Sequence, residues 1–346
     1  MSGTSSEDRT GEPAPRAPRG HRSRTAPEAP VPPASRPAPG AVSVGPRPSE
    51  RFVTAVEAAG AEVVPVGPDT RGLVWLSYRS TQELSDVLDA HPGIEWVQLP
   101  WAGVDAFADV LRRHAGRDRL LWTSAKGAYS EPVAEHALVL TLALLRLVRK
   151  RVEARTWATL QEGRSLYGRR VVVVGAGGIA REYLRLLEPF DCETVVVRRS
   201  PEAVPGAVRT VATSALHDEL READVVLLAA ASTDETRRLV GERELALLPD
   251  TAVLVNVARG PLVDTDALVA ALREERLWGA ALDVTDPEPL PDGHPLWTEP
   301  RAIVTPHQAD TPEMTAPLLA ERITTNVRAL LGDGEFVGVV DPVAGY

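Results

Sequence analysis

The sequence predicts an α/β protein of two parallel-sheet domains, the second doubly wound, preceded by an unstructured tail. Three observations predict it. Short apolar runs alternate with helix-period segments from Ala41 onward. The pattern restarts after a long helical stretch opening at Pro132, now with strands that are apolar without interruption. A glycine-rich turn, Val174-Gly-Ala-Gly-Gly-Ile-Ala180, then joins the first of those strands to a helix. The 346 residues are enough for two sizeable cores.

Residues 1–40 hold nine of the 30 prolines, mixed with Ser, Gly and Arg and without hydrophobic periodicity. Such a stretch buries too little apolar surface to offset its ordering entropy, so a disordered extension is expected. It has no continuous apolar run and does not read as a secretory signal. Ala41–Val44 reads as the first strand and Ser49–Ala59 as a helix. Strands are expected at Glu62–Val66 and Gly72–Leu76, a helix at Thr81–Ala90, and strands at Ile94–Gln98 and Leu120–Thr123. Pro132 suits a first helical position and starts a helix reaching Leu145 or beyond. The second set of strands is Arg170–Val174, Thr194–Val197, Asp224–Leu228, Thr251–Val255, Ala280–Asp283 and Ala302–Thr305. Strands of this kind imply helices on both sheet faces, the layout of a nucleotide-binding domain. A last helix, Pro312–Leu331, has no following strand and is expected to return to the first domain. The expected division is a tail at 1–40, a substrate domain at 41–131 completed by 309–346, and a dinucleotide-binding domain at 132–308.

A net charge of -10 argues against a general nucleic-acid binder and fits a soluble enzyme. Cys192 is the single cysteine, which excludes an intrachain disulfide and a cysteine-based zinc site, and a cytoplasmic location is expected. The apolar run Ala137–Val148 is short and carries Arg146, so it reads as a core helix rather than a membrane span. No His, Asp and Glu cluster has metal-ligand spacing, and no metal is expected.

Gly175-Ala-Gly177-Gly178-Ile179-Ala180 fits the dinucleotide fingerprint. Gly175 permits the tight turn, Gly177 lets the backbone approach a pyrophosphate, and Ala180 permits close helix–strand packing. The following helix would present free N–H groups and its positive end to phosphate. At the end of the next strand, where an acid would hold the adenosine ribose, stand Arg198, Arg199 and Ser200. Arginines can pair with the 2′-phosphate of NADP, so NADP(H) is favoured and NAD(H) stays possible. Glu202 could partly cancel their field.

Three further segments follow apolar strands: Asn256-Val-Ala-Arg-Gly260, Asp283-Val-Thr-Asp-Pro-Glu-Pro-Leu290 and Thr305-Pro-His307. Reduction of a 2-keto acid needs a hydride donor, an acid for the forming alkoxide and a cation for the carboxylate. His307 is the candidate acid, Glu288 the carboxylate that orients it, and Arg259 the bidentate clamp. Asp264 and Asp266 read as the start of a helix. The remaining histidines read as tail, loop, helix-end or packing residues, with His294 a possible edge of the cleft.

With Pro132-Val-Ala-Glu-His-Ala137 and the glycine loop, these segments make residues 41–333 resemble the D-isomer-specific 2-hydroxyacid dehydrogenases, which include glyoxylate and hydroxypyruvate reductases. The resemblance implies two Rossmann-like doubly wound domains with a cleft between them, where keto acid and nicotinamide meet. It implies catalysis by Arg259, Glu288 and His307, a nicotinamide contact from Asp283, and a substrate-carboxylate loop at Trp101, Ala102, Gly103 and Val104. It also implies a homodimer built around Val133–Trp157. An alternative is a non-enzymatic, cofactor-sensing binding module on the same fold. Two positions depart from the family pattern. Ala230-Ala-Ser-Thr233 replaces a more usual Leu-Pro-Leu-Thr run, and Asp310 stands where a small residue is usual, which disfavours phosphorylated substrates.

Overall fold

The computed structural model describes residues 20–23, 30–117, 119–157 and 161–343. Most of the expected tail, residues 1–19 and 24–29, lies outside them. Ordered packing begins before Ala41. Val31 is buried, Pro33–Ser35 forms a 3-10 turn, and the Ala38 amide donates to Glu95 Oε2 at 2.7 Å.

The first sheet contains β1 (Ala41–Gly45), β2 (Thr70–Trp75), β3 (Trp96–Gln98) and β4 (Leu121–Thr123), parallel and in that spatial order. Helices α1 (Glu50–Ala58), α2 (Thr81–Ala90) and α3 (Ala108–His114) connect them. The strand expected at Glu62–Val66 shrinks to one bridge, Val63 beside Val42, with Val42 N donating to Glu62 O at 2.9 Å. Pro65 cannot donate to a ladder, and turn residues follow it at once, so pairing stops after Val64.

Helix α4 (Ser130–Leu145) leads toward the second sheet, with the short α5 (Val148–Val152) after it. It is apolar on most sides and is correspondingly packed against neighbours over much of its surface. The second sheet contains β5 (Arg170–Val174), β6 (Glu193–Arg198), β7 (Arg209–Ala212), β8 (Val225–Leu228), β9 (Val253–Asn256), β10 (Gly279–Leu282) and β11 (Ala302–Val304). Its helices are α6 (Gly178–Leu187), α7 (Leu216–Leu220), α8 (Glu242–Leu247), α9 (Thr265–Arg273) and α10 (Pro295–Thr298). The spatial order is β11-β10-β9-β8-β5-β6-β7, all parallel. Chain order reverses between β5 and β8, where a doubly wound sheet opens its ligand crevice. Val171, Val172 and Val173 are fully buried, each worth about 1.5–3 kcal/mol of transfer free energy. The seventh strand, β7, was not expected. It is a half-buried edge, Arg-Thr-Val-Ala, without the apolar run that marks the inner strands.

The final helix, α11 (Pro312–Leu330), returns to the first sheet and packs against α1 and β2. Its buried Asn326 donates to Gln98 Oε1 at 2.8 Å, and its buried Arg322 donates to Ser124 O at 2.6 Å. Among the described residues, no helix is long and apolar enough to cross a membrane, and no group of His, Cys, Asp or Glu is arranged to hold a metal ion.

Candidate active site

The glycine loop leaves the carboxyl end of β5. Gly175 has φ +112, and a Cβ there would lie 2.5 Å from Ala229 O, so the turn excludes larger residues. Gly178 abuts the start of α4, where an added Cβ would reach 2.1 Å from Ser130 Oγ. Gly177 differs: a Cβ on it would meet nothing within 4 Å. It caps the amino end of α6 and faces open space, as backbone awaiting a pyrophosphate should. Ile179 is half-buried and Ala180 fully buried, which lets α6 sit close on the sheet. The residues fit a dinucleotide. Arg198 ends β6, with its guanidinium 3.8 Å from Glu202, and Arg199 and Ser200 follow it at the same sheet edge. The Ala230–Thr233 loop continues from the backbone that abuts Gly175. It is tied down by Thr236, whose hydroxyl bonds to Ala231 O at 2.8 Å.

The other candidates stand at the carboxyl ends of three neighbouring strands. Arg259 follows β9, Glu288 follows β10 and His307 follows β11. Two strand spacings separate the first from the last, about 10 Å. Asn256 is buried and shapes the Arg259 turn: its Nδ2 donates to Arg259 O at 2.9 Å, and its Oδ1 accepts from Ala258 N at 3.0 Å. The Arg259 side chain crosses to the first sheet. Its Nε donates to Asp105 Oδ2 at 2.9 Å, and its Nη1 donates to Ala258 O at 2.7 Å. The guanidinium lies on Gly103, where a Cβ would fall 1.4 Å from Nη2. The loop expected to hold the substrate carboxylate and the expected clamp are thus in contact. Asp105 was missed by sequence reasoning. It lies two residues beyond Gly103, but nothing in the sequence pairs it with Arg259.

Within that loop the four residues diverge. Trp101 is exposed, its ring edge-on to Tyr78 and Tyr129 at 6.3 Å in each case. Ala102 O accepts from Ser124 Oγ at 3.4 Å, while Val104 points into the first core.

His307 Nδ1 and Glu288 Oε1 lie 2.7 Å apart, with the two side chains 53% and 43% exposed. The pair is therefore open to solvent and to an incoming molecule. His307 has φ +50, a left-handed conformation that costs a non-glycine residue about 1–2 kcal/mol. The compensation comes from Asp283. Its backbone oxygen accepts from His307 N at 2.7 Å, and its carboxylate accepts from Gln308 N at 2.9 Å and Ala309 N at 3.3 Å. Successive amides around a left-handed residue form a small anion-binding nest. Burial raises the Asp283 carboxyl, but hydrogen bonds from His136, Thr305 and Gln308 N outweigh it and hold the group below the usual carboxylate range. Asp283 is only 2% exposed. Its Oδ1 takes the Thr305 hydroxyl and Gln308 N, whereas its Oδ2 takes Ala309 N alone at 3.3 Å.

Burial holds the Asp310 carboxyl above its ordinary value, opposed first by His307 and reinforced less by Asp283. It adds acidic character beside His307. His136, expected to be a packing or interface residue, is part-buried with its Nε2 3.0 Å from Thr305 Oγ1. His294 caps α10, its Nδ1 accepting from Leu296 N at 3.3 Å. Asp264 caps α9 through Ala267 N at 3.1 Å, as its position before a helix predicts.

Residues 137–309 match the family model described as D-isomer specific 2-hydroxyacid dehydrogenase, NAD binding domain. The chain is 38% identical over 263 residues to the uncharacterized protein in proB 3'region of Corynebacterium melassecola, spanning 75% of this chain and 86% of that one. It is 31% identical over 258 residues to the glyoxylate reductase of Thermofilum pendens, spanning 71% of this chain and 75% of that one. Among solved structures, the D-isomer specific 2-hydroxyacid dehydrogenase from Xanthobacter autotrophicus Py2, in complex with NADPH and MES, superposes with a TM-score of 0.72. The identity is 29%, and the match covers 89% of this chain and 100% of that one.

Proposed function

Because the chain belongs to the D-isomer-specific 2-hydroxyacid dehydrogenases, oxidoreductases that act on a CH–OH group with a nicotinamide cofactor, we propose that it reduces a small 2-keto acid of the glyoxylate or hydroxypyruvate type with NADPH in the cytoplasm. The observation that carries this reading is the contact between Arg259 and Gly103, which places a guanidinium against the loop of the opposite sheet. Residues 41–131 with 309–346 then form the substrate domain, and 132–308 the dinucleotide domain.

Nicotinamide, when bound, supplies hydride to the keto carbon. Arg259 holds the substrate carboxylate against the Gly103 backbone and polarises the carbonyl. His307 gives its proton from Nε2 to the forming alkoxide, since Nδ1 faces Glu288. Glu288 fixes the ring and balances its charge. Asp310, which interacts with His307, disfavours phosphorylated substrates. The direct test is purified full-length protein with a panel of 2-keto acids, each run with NADPH and NADH and followed by nicotinamide absorbance. No oxidation of either cofactor across the panel would overturn the reading.

Arg198 and Arg199 at the end of β6 support NADPH, as does the absence of an acid at that strand end. Arg198→Asp is expected to lower the NADPH to NADH ratio of kcat/KM by about tenfold or more, the loss of one charge-assisted phosphate contact of about 1.5–3 kcal/mol. An unchanged ratio would place cofactor discrimination elsewhere.

The proposed assembly is a homodimer. Val139, Val148, Val152 and Trp157 expose large apolar side chains along and after α4. A groove of about 360 Å³ lined by Val139, Leu140, Val148, Leu296 and Trp297 opens on the same side. Trp157→Glu is expected to move the protein from dimer to monomer in sedimentation velocity. A variant that sediments as wild type would remove Trp157 from the interface.

A further inference from the structure

Catalytic loops need their reactive side chain held within a fraction of an ångström, and His307 sits in a turn that its own backbone disfavours. What fastens that turn is visible in the chain of hydrogen bonds behind it. Thr305 Oγ1 lies 2.7 Å from Asp283 Oδ1, and the ionised carboxylate can only accept, so the threonine hydroxyl donates there. That hydroxyl has a single proton. His136 Nε2, 3.0 Å from the same oxygen, must therefore be the donor to Thr305. The polarity runs one way: His136 Nε2–H to Thr305 Oγ1–H to Asp283 Oδ1. Asp283 then receives the amides of Gln308 and Ala309 on its carboxylate and the amide of His307 on its backbone oxygen. His136 also approaches Asp283 Oδ1 directly at 3.5 Å.

The start of this chain and its end belong to different parts of the fold. His136 is on α4, the helix whose first residues abut the glycine loop at Gly178. Thr305 and His307 belong to the segment leaving β11. His136 and Thr305 line the groove beside α4, and Asp283 is buried behind them. We propose that His136 and Thr305 are positioning residues for His307, fastening its left-handed turn to helix α4 through the Asp283 carboxylate. The inference rests on the reductase reading for His307 as proton donor; the fastening itself does not. Its consequence is that the orientation of the acid depends on how α4 is seated, and α4 also contacts the cofactor loop.

Paired variants of the full-length protein test this. Thr305→Val keeps the shape and loses the hydroxyl, whereas Thr305→Ser keeps it. His136→Leu loses the donor, and His136→Gln can place an N–H near the Nε2 position. Thr305→Val and His136→Leu are expected to lower kcat about tenfold or more, while KM for the keto acid and Kd for NADPH move less than about threefold. Thr305→Ser and His136→Gln are expected to recover most of that loss. A second readout is independent of turnover: the ring-nitrogen NMR signals of His307, assigned by their absence from His307→Asn. They should shift or broaden in Thr305→Val and stay near wild type in Thr305→Ser. Unchanged His307 signals in Thr305→Val, or equal losses in the Ser and Val variants, would overturn the proposal. A wild-type protein without turnover whose His307 signals still respond to Thr305→Val would count against the reductase reading alone.

Discussion

His307→Asn is expected to lower kcat by about 10²–10⁴-fold, the range over which a positioned acid contributes, with NADPH affinity nearly unchanged. Asparagine is the informative substitution because of the backbone. His307 has φ +50, and asparagine enters the left-handed region more readily than most residues. The turn held by Asp283 should therefore survive, and a loss of turnover reports the missing proton rather than a displaced loop. Glu288→Gln is expected to fall between this variant and wild type. It keeps a polar group 2.7 Å from Nδ1 but removes the charge that balances the ring. NADPH binding, read by fluorescence, separates loss of chemistry from loss of the cofactor site. If His307→Asn turned over at the wild-type rate with intact binding, the proton would have to come from another group.

The strands that carry the site were legible because both their faces are buried. Val171 to Val174 and Val253 to Val255 are apolar at every position, and such runs announce themselves without any knowledge of their partners. The edges were not legible. Arg209–Ala212 is a strand because β6 offers it a ladder, and Glu62–Val66 is not one because Pro65 interrupts it after a single bridge. Propensity alone read both wrongly, since an edge is decided by its neighbour and by one missing N–H.

The site divides along a similar line. Arg259, Glu288 and His307 were legible as strand-end residues in a fixed order, and the His307–Glu288 contact follows from that order. The groups that hold them were not. Asp105 meets Arg259 from 154 positions away in the chain, and His136 meets Thr305 from 169. Spacing cannot show contacts between elements so far apart in the chain: Asp105 lies by the first sheet, and His136 on a helix packed against the second. Asp283 carries a role that its motif did not announce: its carboxylate accepts the Gln308 and Ala309 amides of the His307 turn.

Arg259→Lys tests the other half of the chemistry, and a loss of about 10²–10³ in kcat/KM is expected, about 2.7–4 kcal/mol of transition-state stabilisation. The substitution keeps the charge, so the size of the loss measures geometry. Arg259 already uses Nε on Asp105 and Nη1 on Ala258 O, which leaves Nη2, against Gly103, facing the substrate loop. A planar fork can keep those two bonds while presenting further N–H groups to a carboxylate. One ammonium cannot reach Asp105, Ala258 O and a substrate in the same geometry. Lysine is therefore expected to stay with Asp105, its permanent and nearest anion, and to serve the substrate poorly. KM for the keto acid should rise along with the fall in kcat, because the same contact binds the carboxylate and polarises the carbonyl. The double variant Arg259→Lys with Asp105→Asn should recover part of the KM loss by freeing the ammonium. Kinetics within about twofold of wild type for Arg259→Lys would show that charge alone suffices at this position and that the fork has no role in holding the substrate.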